Sequence, residues 1–270
     1  MRLAYQVATP EVHTPDVTAF RGDLREGFAQ LARLGYSAVE LMVRDPERVP
    51  AAYLEALSRE YHLPICLVCT GEVYGEDGLS FTDARVAVRA EAGKRMRAAI
   101  RLAARLGVDV NVGRLRGRLG GGVPDEVALE WGRTALLGAA DLAASLGIRV
   151  LLEPIQRRTA DWARTTEEGL ALVRALNHPG LGLMLDTGHM HAEGETIPSS
   201  LVAAREHLHH VHLCEENRLA PGMGHLDFPA ILGALREAGY DGCVSVEAYQ
   251  HPDSETAMRV SAETLLPLLG

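Results

Sequence analysis

The stretch LGLMLDTGHMHAEG, residues 181–194, breaks an apolar run with Asp186 and follows it with Gly188, His189 and His191. A carboxylate where a buried strand emerges, with imidazoles one turn later, is a donor set for a hard-to-borderline divalent cation. Three other segments share this grammar: RVLLEP (149–154), HHVHLCEENR (209–218) and CVSVEAY (243–249). Their candidate ligands are Glu153, His212 and Glu247, so with Asp186 the four are spaced by 33, 26 and 35 residues. A strand, its crossover helix and the next parallel strand need ~30 or more residues. Four ligand-type residues recurring at that interval, each ending a strand, predict one shared metal site at the mouth of a barrel.

Any single carboxylate of this set can instead cap a helix or pair with an arginine, because clustered acids mark sites only statistically. The expectation rests on all four together. On an alternating strand His210 and His212 share a face and His209 takes the other. One inward histidine can be a satisfied core residue; His212 is preferred as ligand because it lies nearer the strand's C-terminal end, just before Glu215 and Arg218. His189 is read as a substrate contact.

Three carboxylates and one imidazole make an oxygen-rich site that favours Mn²⁺ or Mg²⁺, with Co²⁺ or Zn²⁺ as alternatives, and no organic cofactor is expected. Two of the acids, Glu153 and Glu247, suggest proton chemistry. A metal that holds an α-hydroxyketone through its carbonyl and neighbouring hydroxyl acidifies the C–H between them. One glutamate then removes that proton, the metal stabilises the enediolate, and the other glutamate returns a proton to the opposite face.

The elements that position these groups follow a regular alternation. Strands are predicted at 3–9, 38–42, 65–69, 108–113, 148–153, 181–186, 209–214 and 242–248, with helical spacing between them. The segment TGEVYGEDGLS is expected to be a loop, and TTEE (165–168) a capping box for the fifth helix. Strands apolar on both faces and short connections give a single (β/α)₈ barrel spanning residues 1–270, close to the ~250 residues typical of that fold.

Composition limits the function classes. The chain is 47% hydrophobic and 23% charged, as in an ordinary soluble globular protein. A net charge of −9 argues against a nucleic-acid partner, whose binding needs cations for phosphates. The four cysteines, 66, 69, 214 and 243, read as buried thiols; Cys66 and Cys69 lie on opposite faces of a strand rather than in a redox CxxC. No leader and no apolar stretch of about 18 residues is seen, so a cytoplasmic protein without a membrane partner is expected. Arg114, Arg116 and Arg118 form a basic loop after strand four, either an anion site for a phosphate or carboxylate or a solvated surface loop.

At these residues the chain resembles the xylose isomerase-like TIM barrel superfamily, and within it the ketose 3-epimerase branch. The resemblance spans nearly the whole barrel. It is carried by the LEP at Glu153, the DTGHM at Asp186 and His189, the HxHxxEENRxxPGxG of residues 210–224, and the SVE ending at Glu247. It implies that Glu153, Asp186, His212 and Glu247 hold the metal, that Glu153 and Glu247 are the acid–base pair, and that His189 and Arg218 hold oxygens near C1 and C2 of the sugar. Glu40 and Glu215 complete the expected substrate contacts. Specificity is expected from the loops after strands one to four, with His13, Glu40 and Glu72 as candidates.

One departure is EPIQRRT, which offers Arg157, Arg158 and Thr159 where the epimerases usually carry a substrate-binding glutamate. The EP at this point also resembles hydroxypyruvate isomerases, so an aldose–ketose isomerase or an inosose-type dehydratase is the alternative enzyme. The superfamily's AP endonucleases, with three zinc ions, fit less well: the ends of strands two to four offer no histidine. The expected partner is a small sugar or sugar phosphate, and the resemblance implies a homodimer or homotetramer.

Overall fold

The computed structural model describes residues 1–269. Its eight parallel strands close a barrel in chain order. These are β1 (Arg2–Ala8), β2 (Ala38–Met42), β3 (Ile65–Cys69), β4 (Asp109–Val112), β5 (Val150–Leu152), β6 (Leu181–Asp186), β7 (Leu208–Leu213) and β8 (Cys243–Val246). The helices are α1 (Leu24–Arg33), α2 (Ala51–Tyr61), α3 (Gly71–Gly75), α4 (Val86–Leu106), α5 (Asp125–Ser145), α6 (Thr166–Leu176), α7 (Thr187–Ala192), α8 (Ile197–Ala204), α9 (Phe228–Glu237) and α10 (Ser254–Leu269). Eight of them form the outer ring; α3 and α7 are short insertions after β3 and β6.

Strand periodicity divides the core in two. Outward residues such as Tyr5, Val39, Val211 and Val244 join the main apolar cluster under the helices. Inward residues form layers inside the barrel. Ala4, Ala38 and Cys243 pack together at the lower end, with Cys66 against them. Leu67, Leu151 and Met184 make a second apolar cluster, and beside it the filling turns polar: Gln6, Glu40, His210 and Ser245 are all buried. A polar interior layer is costly unless its groups bond one another, so it signals the site above.

The sequence reading and the structure differ after β3, and the structure adds a short helix after β6. The stretch expected to be a loop after β3 contains α3, and the residues after Asp186 form α7, with the Asp186 carboxylate accepting from His189 N at 2.8 Å as its cap. The TTEE motif is half of a capping box. Thr165 Oγ1 accepts from Glu168 N at 3.2 Å, but the Glu168 carboxylate reaches back to Arg164 N (2.8 Å) instead of the cap residue. No helix among the described residues is long and apolar enough to cross a membrane.

Candidate metal centre and substrate cavity

The four strand-end residues converge. Glu153 follows β5 and Glu247 follows β8, each tethered by its backbone N–H to the neighbouring strand, at Val112 O (3.0 Å) and Leu213 O (3.2 Å). Asp186 and His212 are register partners on β6 and β7. One ligand atom from each of the four lies within 4.8 Å of the others. His212 Nδ1 is 3.5 Å from Glu153 Oε1, 3.8 Å from Asp186 Oδ2 and 3.4 Å from Glu247 Oε2. It is fully buried and has no hydrogen-bond partner. An unpartnered imidazole nitrogen facing three carboxylates fits a divalent cation, whose charge would balance the acids.

Each member of the quartet is oriented by a residue from another strand or loop. Asn111 Nδ2 donates to Glu153 Oε2 at 3.1 Å, Gln6 Nε2 reaches Glu247 Oε1 at 3.3 Å, and Arg218 Nη1 is 3.1 Å from both Asp186 oxygens. Gly113 is required where it stands, because a Cβ there would sit 2.5 Å from Glu153 Oε2. These supports are not visible as motifs, but Gln6 and Asn111 leave a faint trace as polar residues flanked by apolar ones within their strands.

Glu40 corrects an expectation. Proposed as a substrate contact, it is fully buried below the quartet and does not line the cavity. Its carboxylate lies 2.8 Å from each of His210 Nε2, His212 Nε2 and Gln6 Nε2. Burial opposes its charge, but the two imidazoles outweigh it and pull its pKa far below the ordinary carboxylate range. With Nε2 on Glu40, His212 keeps Nδ1 for a ligand role.

Glu215 also turns out to be a scaffold residue. It is buried and accepts from Gly222 N (2.7 Å) and Leu226 N (2.9 Å), which ties down the loop that presents Arg218. Arg218 sits in the left-handed region at φ 60°, and its Nη2 meets Glu247 Oε2 at 2.5 Å.

The three arginines of the basic loop part ways: Arg118 is exposed, Arg114 lines the cavity, and Arg116 does neither. Arg116 is completely buried and spends its guanidinium on the carbonyls of Gly113, Glu153, Trp162 and Ala163 at 2.6–3.2 Å. Burial pushes its pKa down to about 10. It therefore braces the backbone of Glu153 against the loop before α6. Arg118 pairs with Asp161 at 2.9 Å, and Arg114 pairs with Glu72.

Above the quartet lies a cavity of about 230 Å³ whose walls include Glu153, Glu247, His189, Arg218, Glu72 and Arg114. His13 lies outside it, exposed beside Arg44 and Glu76. Of EPIQRRT, Gln156 and Thr159 face the cavity, whereas Arg157 turns away to Glu193. Burial, reinforced by Arg218, pushes the His189 pKa down to about 3, so its ring is neutral. Burial works to raise the pKa of Glu247, but His212 and Arg218 overcome it and hold the group well below the ordinary value. Asp186 is shifted up, with burial the main cause.

A sequence model of the Xylose isomerase-like TIM barrel family matches residues 28–268. The chain belongs to that family. It is 30% identical over 232 residues to the L-ribulose 3-epimerase of Methylomonas sp. (strain DH-1), covering 83% of this chain and 78% of that one. The ketose 3-epimerase of Arthrobacter globiformis is 38% identical over a shorter stretch of 117 residues, 43% of this chain and 40% of its own. The crystal structure of D-allulose 3-epimerase from Methylomonas sp. in complex with D-allulose superposes with a TM-score of 0.81 at 26% identity, covering 98% and 97% of the two chains. These family members are sugar epimerases by name, and the fold they share with this chain is the barrel described above.

Proposed function

We propose that the protein is a divalent-metal-dependent sugar epimerase of the ketose 3-epimerase type. The observation that carries the reading is the orphaned His212 Nδ1, buried and ringed by Glu153, Asp186 and Glu247. Those four residues would hold the ion, and the oxygen-rich set favours Mn²⁺ or Mg²⁺. Bound there, such a cation supplies Lewis acidity to a substrate carbonyl and lowers the pKa of the adjacent C–H.

The chain's own groups would do the rest. Glu153 and Glu247 follow β5 and β8, three strand steps apart around the closed barrel, so they approach the cavity from different sides. Glu247, held as a carboxylate, is suited to accept a proton from C3, and Glu153 to return one to the other face, which inverts the carbon. The roles reverse for the opposite epimer. Neutral His189 and the Arg218 guanidinium line the same cavity and would hold the oxygens flanking the reacting carbon. The walls at Ile155 and Tyr249 limit water around that carbon.

Product analysis tests this directly. Mn²⁺-loaded protein incubated with a panel of ketoses is expected to give the C3 epimer of at least one. A carbonyl moved between C1 and C2, or a dehydrated product, would replace epimerisation by the alternative reactions.

A further inference from the structure

We propose that Glu72 decides the charge of the substrate by neutralising Arg114, so that the cavity accepts sugars with no anionic group. This rests on the epimerase reading above and adds a specificity-determining residue to it.

Two guanidinium groups line the cavity, those of Arg114 and Arg218, and each is already matched to carboxylates. Arg218 is held by Asp186 and Glu247. Arg114 meets Glu72 Oε1 through Nη2, while Glu72 Oε2 accepts from Thr14 Oγ1 at 2.7 Å. Both oxygens of Glu72 are thereby engaged, and its side chain is only 5% exposed against 34% for Arg114. Both members of the pair line the cavity, the guanidinium being the more exposed of the two. The third basic group of the wall, His189, is neutral. Among the described residues, then, no cation of the cavity wall lacks a carboxylate, and Asp16 and Glu72 add negative charge outside the quartet.

The backbone of α3 is built around this pair. A Cβ at Gly75 would lie 2.6 and 2.8 Å from the two Glu72 oxygens. The absence of a side chain at Gly75 leaves room for the Glu72 carboxylate where it meets Arg114. A phosphate or carboxylate brought to Arg114 has to compete with a buried acid already bonded twice, and it meets like charge there. A hydroxyl meets no such penalty: it can use the remaining N–H groups of Arg114 together with Thr159 and Gln156, which line the same cavity. Without Glu72, Arg114 becomes a free cation beside the substrate.

The test compares native protein, Glu72→Gln, Arg114→Gln and the double variant, all loaded with Mn²⁺. Binding of D-fructose 6-phosphate and of inorganic phosphate is read by calorimetry, so no turnover is needed. Glu72→Gln is expected to bind the sugar phosphate about tenfold or more tightly than native, the scale of one additional charge-assisted hydrogen bond, and the double variant to return to the native affinity. Arg114→Gln alone is expected to leave the native affinity for phosphate within about twofold, and this arm decides the matter if Glu72→Gln fails to fold. Tight phosphate-ester binding by the native chain, no tightening in Glu72→Gln, a tightening that survives in the double variant, or a large loss in Arg114→Gln overturns the proposal. Failure of the epimerase reading is seen separately, as absence of C3 exchange with D-fructose whatever the phosphate affinities.

Discussion

His212 Nε2 lies 2.8 Å from Glu40 Oε1 while its Nδ1, on the other side of the ring, faces Glu153, Asp186 and Glu247 without a hydrogen bond. One fully buried carboxylate thus fixes which nitrogen of the candidate ligand histidine is free. The same Glu40 also binds His210, so both histidines of the HxH share one carboxylate.

Replacing Glu40 with Gln removes the charge that sets this tautomer and leaves an amide that cannot accept from both imidazoles. Metal affinity is expected to fall about 10–100-fold, the usual effect of losing a partner of a ligand histidine. Calorimetric titration with Mn²⁺ checks this. Affinity equal to native would show that His212 does not depend on Glu40.

Arg116→Met strands the backbone carbonyls of Glu153, Trp162 and Ala163 in a buried setting, while Gly113 O keeps its bond from the Arg116 backbone N–H. The expected cost is roughly 3 kcal/mol or more, since each orphaned buried acceptor costs ~1–3 kcal/mol. Arg116→Lys should lose less, because a lysine keeps the charge and some donors but not the planar fork. Denaturant unfolding of the metal-loaded proteins gives both values. A loss under about 0.5 kcal/mol in Arg116→Met would match an ordinary surface change and contradict the bracing role.

Much of this was legible in the sequence, and the parts that were not share a cause. The convergence of Glu153, Asp186, His212 and Glu247 could be anticipated because ligand-type residues at strand ends repeat with the βα unit. The eight strands were legible because strands covered on both faces are apolar throughout. Glu40 and Glu215 were misassigned because a carboxylate near a site looks the same in sequence whether it faces substrate or supports a neighbour. Arg116 was missed for a similar reason. In a run of three arginines nothing marks the middle one as buried, and its partners are carbonyls, which every residue carries. Gln6 and Asn111 act across strands, at contacts that no local pattern encodes.

Two neighbouring acids after α3 make separate tethers, Glu76 to the loop after β1 and Asp77 to Arg44 after β2 and Arg95 on α4. Glu76 accepts from Thr14 N at 2.8 Å, and Asp77 binds Arg44 (2.7 Å) and Arg95 (2.9 Å). Burial pushes the Asp77 pKa up, but the bonds from Arg44 and Arg95 outweigh it and hold it below the ordinary carboxylate value. A group depressed in the folded state stabilises the fold above its unfolded pKa of ~3.9, and that contribution is lost as pH falls through the folded value. Asp77→Asn is therefore expected to cost roughly 1 kcal/mol at pH 7, with the gap to native closing below about pH 4. Thermal melts across that range measure it, and a gap that stays constant to pH 2 would contradict the assignment.

Solvent exchange at C3 probes the two glutamates themselves. Mn²⁺-loaded native protein in D₂O with a ketohexose substrate is predicted to place deuterium at C3. Glu153→Gln and Glu247→Gln are each predicted to slow epimer formation about 10²–10⁴-fold. No label at C3 during turnover by the native protein, or epimerisation at the native rate in either variant, would contradict proton transfer by this pair.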